Sequence, residues 1–259
     1  MSDLPFLLPP FPVLAVTAAT FLLAGLVKGV IGLGLPTVAV GLLGLVMAPA
    51  EAAALLIVPS LVTNLWQLAA GPRIGALVDR LWPMMLAIAL GTWAGSGLIA
   101  ASQAAADRAT TALGVALVLY AAVGLAAWRL RVPGHAESWL SPLVGVATGV
   151  VTAATGVFVI PAVPYLQALA LERDELVQAL GLSFTVSTLA LAAGLAHHGL
   201  FEGAAAGASL LALGPALAGM AAGQWLRRRV SPALFRRCFF LGLLALGAHF
   251  ALRATLGAG

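Results

Sequence analysis

Lysine occurs once in this chain, at position 28, and cysteine once, at position 238. A single cysteine excludes an intramolecular disulfide and a cysteine-built metal cluster. Cys238 reads as a small apolar residue within a helix. Charge of either sign is scarce: Asp, Glu, Lys and Arg make up 8% of 259 residues, against roughly 25% in a soluble domain. No soluble domain of ordinary size fits between the apolar runs. The spans also lack paired carboxylates, and the chain lacks a nucleotide-binding loop and metal-ligand spacing. These absences argue against an enzyme, against a cofactor and against ATP-driven transport by this chain alone. The opening Met-Ser-Asp-Leu-Pro has no basic n-region and no small-residue cleavage site, so no cleaved signal peptide is expected.

What remains is apolar. Hydrophobic residues make up 62% of the chain and mean hydropathy is +1.07, the composition of an all-α polytopic membrane protein. A net charge of +4 and a pI near 10.2 would also suit a nucleic-acid binder. The basic residues Arg73, Arg80, Arg129, Arg131, Arg227, Arg228, Arg229, Arg236 and Arg237 sit beside apolar runs instead. That is the topogenic pattern of a bacterial-type inner (plasma) membrane protein. The expected partners are the lipid bilayer and a small anion, with a homodimer left open and nucleic acid excluded.

A membrane span needs about 20 apolar residues. Segments 52–72, 81–106, 109–128, 176–196 and 203–226 qualify, and 238–252 does so by recruiting 230–235. Stretches 4–50 and 138–171 are too long for one helix and tight for two. Both are broken by glycine and proline: Gly32, Gly34 and Pro36 in the first, Gly156, Pro161 and Pro164 in the second. If the arginine-rich loops 72–80, 129–137 and 227–237 share the cytoplasmic side, the stretch 138–171 must enter and return on one side. A re-entrant hairpin does this, as do two short crossings; the hairpin is preferred. Gly25-x3-Gly29 and Gly145-x3-Gly149 match at an offset of 120 residues, and each opens a hairpin followed by three spans. An odd number of crossings makes the second copy inverted. The expected architecture is therefore two inverted repeats, 1–130 and 131–259, each a broken helical hairpin plus three transmembrane helices, with a substrate site where the copies meet.

Lys28 is the only ionisable residue between Leu4 and Ala50. A charge at membrane depth costs roughly 2.5–3.5 kcal/mol on insertion scales, so it faces a cavity, a partner or a bound ion unless it snorkels from a helix end. The glycine-rich break with Pro36 suits the start of a half-helix whose free N–H groups attract an anion. The second half offers Thr152, Thr155 and Gly156 at its own tip. Two such tips facing each other, with Lys28, Gly32 and Gly34, would form an electropositive pocket. Gly25, Gly29, Gly145 and Gly149 read instead as close helix packing. Ser60, Thr63, Asn64 and Gln67 form one polar stripe, and Ser183, Thr185, Ser187 and Thr188 form another. The amides Asn64 and Gln67 are the stronger candidates, since buried amides need partners. His197 and His198 close a span, either as an exposed turn or as a proton-handling gate. His249 reads as a packing residue.

The pattern Gly25-x3-Gly29-x2-Gly32-x-Gly34 with its proline arm recurs in degenerate form from Gly145 to Pro161 and resembles the TauE/SafE sulfite-exporter family. The segment Ala179–Gly194 resembles that family's second-half signature. The resemblance implies a secondary permease or exporter of sulfite, a sulfonate, thiosulfate or a related organosulfur anion, proton-coupled in some members. The chain departs from the family pattern at the first tip, which reads Gly34-Leu35-Pro36 where three consecutive glycines are frequent. The competing readings are an integral-membrane enzyme and a non-transporting membrane subunit.

Overall fold

The structure is a computed structural model and describes residues 11–69, 71–100, 103–126 and 131–256. The opening residues that bear on a signal peptide, and Arg129, lie outside the described residues. Among those described, the chain is all-helical: α1 (Phe11–Ile31), α2 (Leu35–Leu43), α3 (Pro49–Ala69), α4 (Ile74–Ala94), α5 (Gly97–Ala100), α6 (Gln103–Ala126), α7 (Gly134–Thr155), α8 (Ala162–Ala168), α9 (Arg173–His197), α10 (Gly203–Leu226) and α11 (Pro232–Leu256). All but α2, α5 and α8 are long and apolar enough to cross a membrane. Their outer faces carry exposed Leu22, Leu86, Leu90, Leu119 and Leu210, which water would reject and acyl chains accept. Exposed Trp66, Trp82, Trp139 and Trp225 lie toward the arginine-rich end of their helices, the level of an interfacial aromatic belt. This is a multi-pass inner-membrane protein.

Each expected hairpin proves unequal. A helix of full spanning length, 21 residues in α1 and 22 in α7, is followed by a short return arm of 9 residues in α2 and 7 in α8. The first break falls where its glycines allow it. Gly32 and Gly34 take φ of 86° and 103°, and α2 starts at Leu35 with Pro36 in its first turn. The second break begins at Gly156, φ 72°. Helix α4 begins at Ile74, seven residues before the expected span, because Arg80 reaches out of it to form a two-pronged ion pair with Glu137 at 2.6 and 2.8 Å. Ending at Ala94, it already spans, and the glycines at 95 and 97 separate it from α6.

Close helix pairs hold the bundle together. Helix α1 lies parallel to α10: Gly25 abuts the Ala216 carbonyl and Gly29 that of Met220, leaving no room for a β-carbon. Helix α7 lies parallel to α4 in the same way, with Gly145 on the Met84 carbonyl and Gly149 on that of Ile88. Backbones this close gain dispersion contacts that larger residues would prevent. Helices α3 and α9 cross antiparallel at the centre, Gln67 bonding the Val177 carbonyl at 3.1 Å while Ala53 and Leu191 share an apolar cluster at the other end. Helices α6 and α11 are also antiparallel, with Gly114 against Ala251 and Gly124 against Phe240.

Proline inside α3 illustrates how buried backbone is satisfied without water. Pro59 has no N–H for the Leu55 carbonyl. Ser209 of α10 supplies the missing donor at 2.9 Å and accepts from the Val58 N–H, also at 2.9 Å. A hydroxyl from a neighbouring helix thus stands in for a backbone group, the remedy expected where no solvent reaches.

Candidate functional site

Lys28 sits near the end of α1 with 5% of its surface exposed. Its ammonium donates to Thr63 Oγ1 at 3.0 Å and to Asn64 Oδ1, both on α3. Thr63 in turn donates to the Pro59 carbonyl at 2.7 Å, which orients its lone pairs toward Lys28. Asn64 Nδ2 donates to Thr188 Oγ1 of α9 at 3.3 Å, so Lys28 is tied to both central helices. An ammonium has three N–H donors and two are used. Neither ion pair among the described residues, Arg73–Glu175 or Arg80–Glu137, involves Lys28.

Lys28 lines a cavity of about 480 Å³ that opens at the arginine-rich end. Thr63, Gln67 and the Gly32 backbone line it deeper in, while exposed Arg173, Arg227 and Arg236 stand at its mouth with Gln167 and Gln224. No Asp or Glu is among the described lining residues. Gln67 spends both amide hydrogens on the Gly32 and Val177 carbonyls, at 3.2 and 3.1 Å. Its Oε1 is buried without a donor. A neighbouring cavity of about 510 Å³ shares Gln167 and Arg236 and adds Tyr120 and Arg131. Four cations around one concave, acid-free space concentrate positive potential that a small anion would neutralise.

The structure brings Lys28, Gly32, Asn64 and Gln67 together, with Thr63 and Thr188. It does not bring the two tips face to face. Gly156 packs on Ala53, roughly 16 Å of helix rise along α3 from Asn64, and Thr155 bonds its own helix at the Val151 carbonyl. Each tip follows a full-length helix, so the tips lie toward opposite ends of the bundle. Gly34 turns toward Val27 and Phe239 rather than into the cavity. Thr152 and Thr185 are buried and donate to the carbonyls of Thr148 and Gly181. Ser183 and Ser187 are fully buried with unpartnered hydroxyls. His197 and His198 close α9 at the end away from Lys28, where His198 Nε2 lies 3.3 Å from Ser96 Oγ and His197 packs on Trp93. His249 is exposed rather than packed into the core. Sequence reasoning missed the rim arginines as site residues, since their position beside spans is fully explained by topology.

A family description, "Sulfite exporter TauE/SafE", matches residues 17–250. The chain belongs to the TauE/SafE sulfite exporter family. That match covers both halves and every element from α1 to α11, and the family is one of membrane transporters. No curated protein and no solved structure matches the chain.

Proposed function

We propose that this TauE/SafE protein is a secondary transporter of a small sulfur oxyanion of the sulfite, thiosulfate or sulfonate class. The arginine-rich end faces the cytoplasm, as the positive-inside rule requires, and the anion enters there. One observation carries the reading: Lys28 is buried without a carboxylate at the floor of a cavity rimmed by arginines. Its third N–H supplies a charge-assisted hydrogen bond, and the rim draws the anion in. No carboxylate among the described lining residues is placed to carry a co-transported proton. With sulfite the proton travels on the substrate as hydrogensulfite, whose O–H can donate to Gln67 Oε1. The protein acts as a carrier rather than an enzyme.

The two halves, 1–130 and 131–259, act as inverted copies. Supporting this, the contacts of α1 on α10 reappear in α7 on α4. Gly25–Ala216 becomes Gly145–Met84, Gly29–Met220 becomes Gly149–Ile88, and Gly223–Leu26 becomes Gly91–Val146. The shift is 120 residues on one helix and 132 on the other throughout. The antiparallel run of the matching central helices α3 and α9 also supports a two-fold axis across the bundle rather than along it.

Counterflow of radiolabelled sulfite in proteoliposomes tests the reading. The wild type exchanges sulfite and Lys28→Met, purified as folded protein, does not. Equal counterflow by the two would remove Lys28 from the path.

A further inference from the structure

The Lys28 cavity has a counterpart at the other end of the bundle that is closed. Carried through the repeat, with the 124-residue shift of α3 onto α9 that relates Asn64 to the Thr188 it bonds, Leu33, Gln67 and Gln224 of the cavity wall fall on Ala153, Leu191 and Thr92. These three residues, from α7, α9 and α4, meet in a crevice completed by Ser96, Gly194 and Leu195. The crevice holds no volume for a water molecule. Yet Thr92 Oγ1, on its wall, is buried at 1% exposure without a hydrogen-bond partner. Burying a hydroxyl without a hydrogen bond costs stability, a cost that a second state with a partner would relieve. Across the outer edge of the crevice, Ser96 meets His198 and Trp93 meets His197.

We infer that the crevice between α4, α7 and α9 is a second anion half-site, the outer end of the translocation path, and that Thr92 donates its hydroxyl to the anion when it opens. This rests on the transport reading above. The glycine contacts make α1 with α10, and α4 with α7, two rigid pairs flanking the α3–α9 crossing. In this structure, beyond the Lys28 hydrogen bonds, α1 hardly touches α3 or α9 and leaves the Lys28 cavity between them; its counterpart α7 packs onto α9 and removes the matching space. Exchanging the two arrangements opens the far end with no new packing chemistry. The outer half-site differs in charge. The positions matching Lys28 and Gln67 are Thr148 and Leu191, so the anion there meets hydroxyls and apolar walls, and is released more readily than it is captured inside.

The test uses the full chain with Cys238→Ser, in spheroplasts that expose the outer face of the inner membrane. Thr92→Cys and Ala153→Cys, read separately, react with a membrane-impermeant maleimide about ten times faster than Ala39→Cys, a core position on neither cavity. Glu202→Cys, exposed between α9 and α10, is the positive control. Labelling needs no substrate. Labelled 92 and 153 in a chain that ignores sulfite would keep the crevice and discard the transport reading. Unlabelled 92 and 153 beside labelled 202, in a chain that exchanges sulfite, would overturn the crevice and leave the transport reading intact.

Discussion

The two ends of this bundle share a backbone plan and differ in chemistry. At the arginine-rich end, α1 and α10 stand beside α3 and α9 around a cavity of about 480 Å³ floored by Lys28. At the other end, α7 and α4 pack by the same glycine contacts, and the matching crevice is shut and uncharged. Helix packing is therefore set by the small residues both halves keep, whereas the proposed anion site draws on Lys28 and Gln67, which the other half replaces with Thr148 and Leu191. Fold and site are separable here, and substitutions should separate them.

The largest effect is expected where the halves are alike. Gly29→Leu and Gly149→Leu each force a side chain into a neighbouring backbone carbonyl, so both should abolish recovery of monodisperse protein by gel filtration. If one is tolerated and the other is not, the halves do not pack equivalently. Next comes the position where they differ. Lys28→Met removes one charge-assisted hydrogen bond to the anion, about 1.5–3 kcal/mol, or on the order of 10- to 100-fold in sulfite affinity. It removes a buried charge but also strips Asn64 Oδ1 of a donor, so the two effects oppose and the thermal transition should move little. Thr148→Val, its match in the other half, should leave inner-face sulfite affinity unchanged. A smaller effect attaches to the rim. Arg227→Gln with Arg236→Gln should lower uptake a few-fold at low ionic strength and little at high salt, since exposed charges are screened. Ser209→Ala acts on stability and not on the anion: it leaves the Leu55 carbonyl and the Val58 N–H unpaired and should destabilise the chain by about 1–3 kcal/mol, with sulfite affinity unchanged.

Much of the fold is legible locally. Gly32-x-Gly34-Leu35-Pro36 specifies a helix break whatever surrounds it, because positive φ and a fixed proline φ act within a few residues. The offset of 120 is readable from Gly25 and Gly145. A second offset of 132, in Pro83 and Pro215, Gly91 and Gly223, Trp93 and Trp225, is equally present in the sequence. It escapes a search at one spacing because the connecting turns differ in length between the halves. The site was harder to read. Lys28 and the Asn64 stripe stand out as polar residues in apolar runs, but only the hydrogen bonds between the end of α1 and α3 show that they touch. The facing tips were a wrong geometry, because the length of α1 and α7 carries each tip to its own end. Interfacial arginines answer to topology whether or not a ligand passes them, so their spacing cannot mark Arg173, Arg227 and Arg236 as a rim.

The central claim is that a lone buried cation in one half makes the anion site. Calorimetric titration of sulfite into the detergent-solubilised chain, wild type against Lys28→Met, tests it directly. The account expects saturable binding that Lys28→Met weakens by at least about tenfold without loss of the folded state. Equal affinity in both proteins would contradict it.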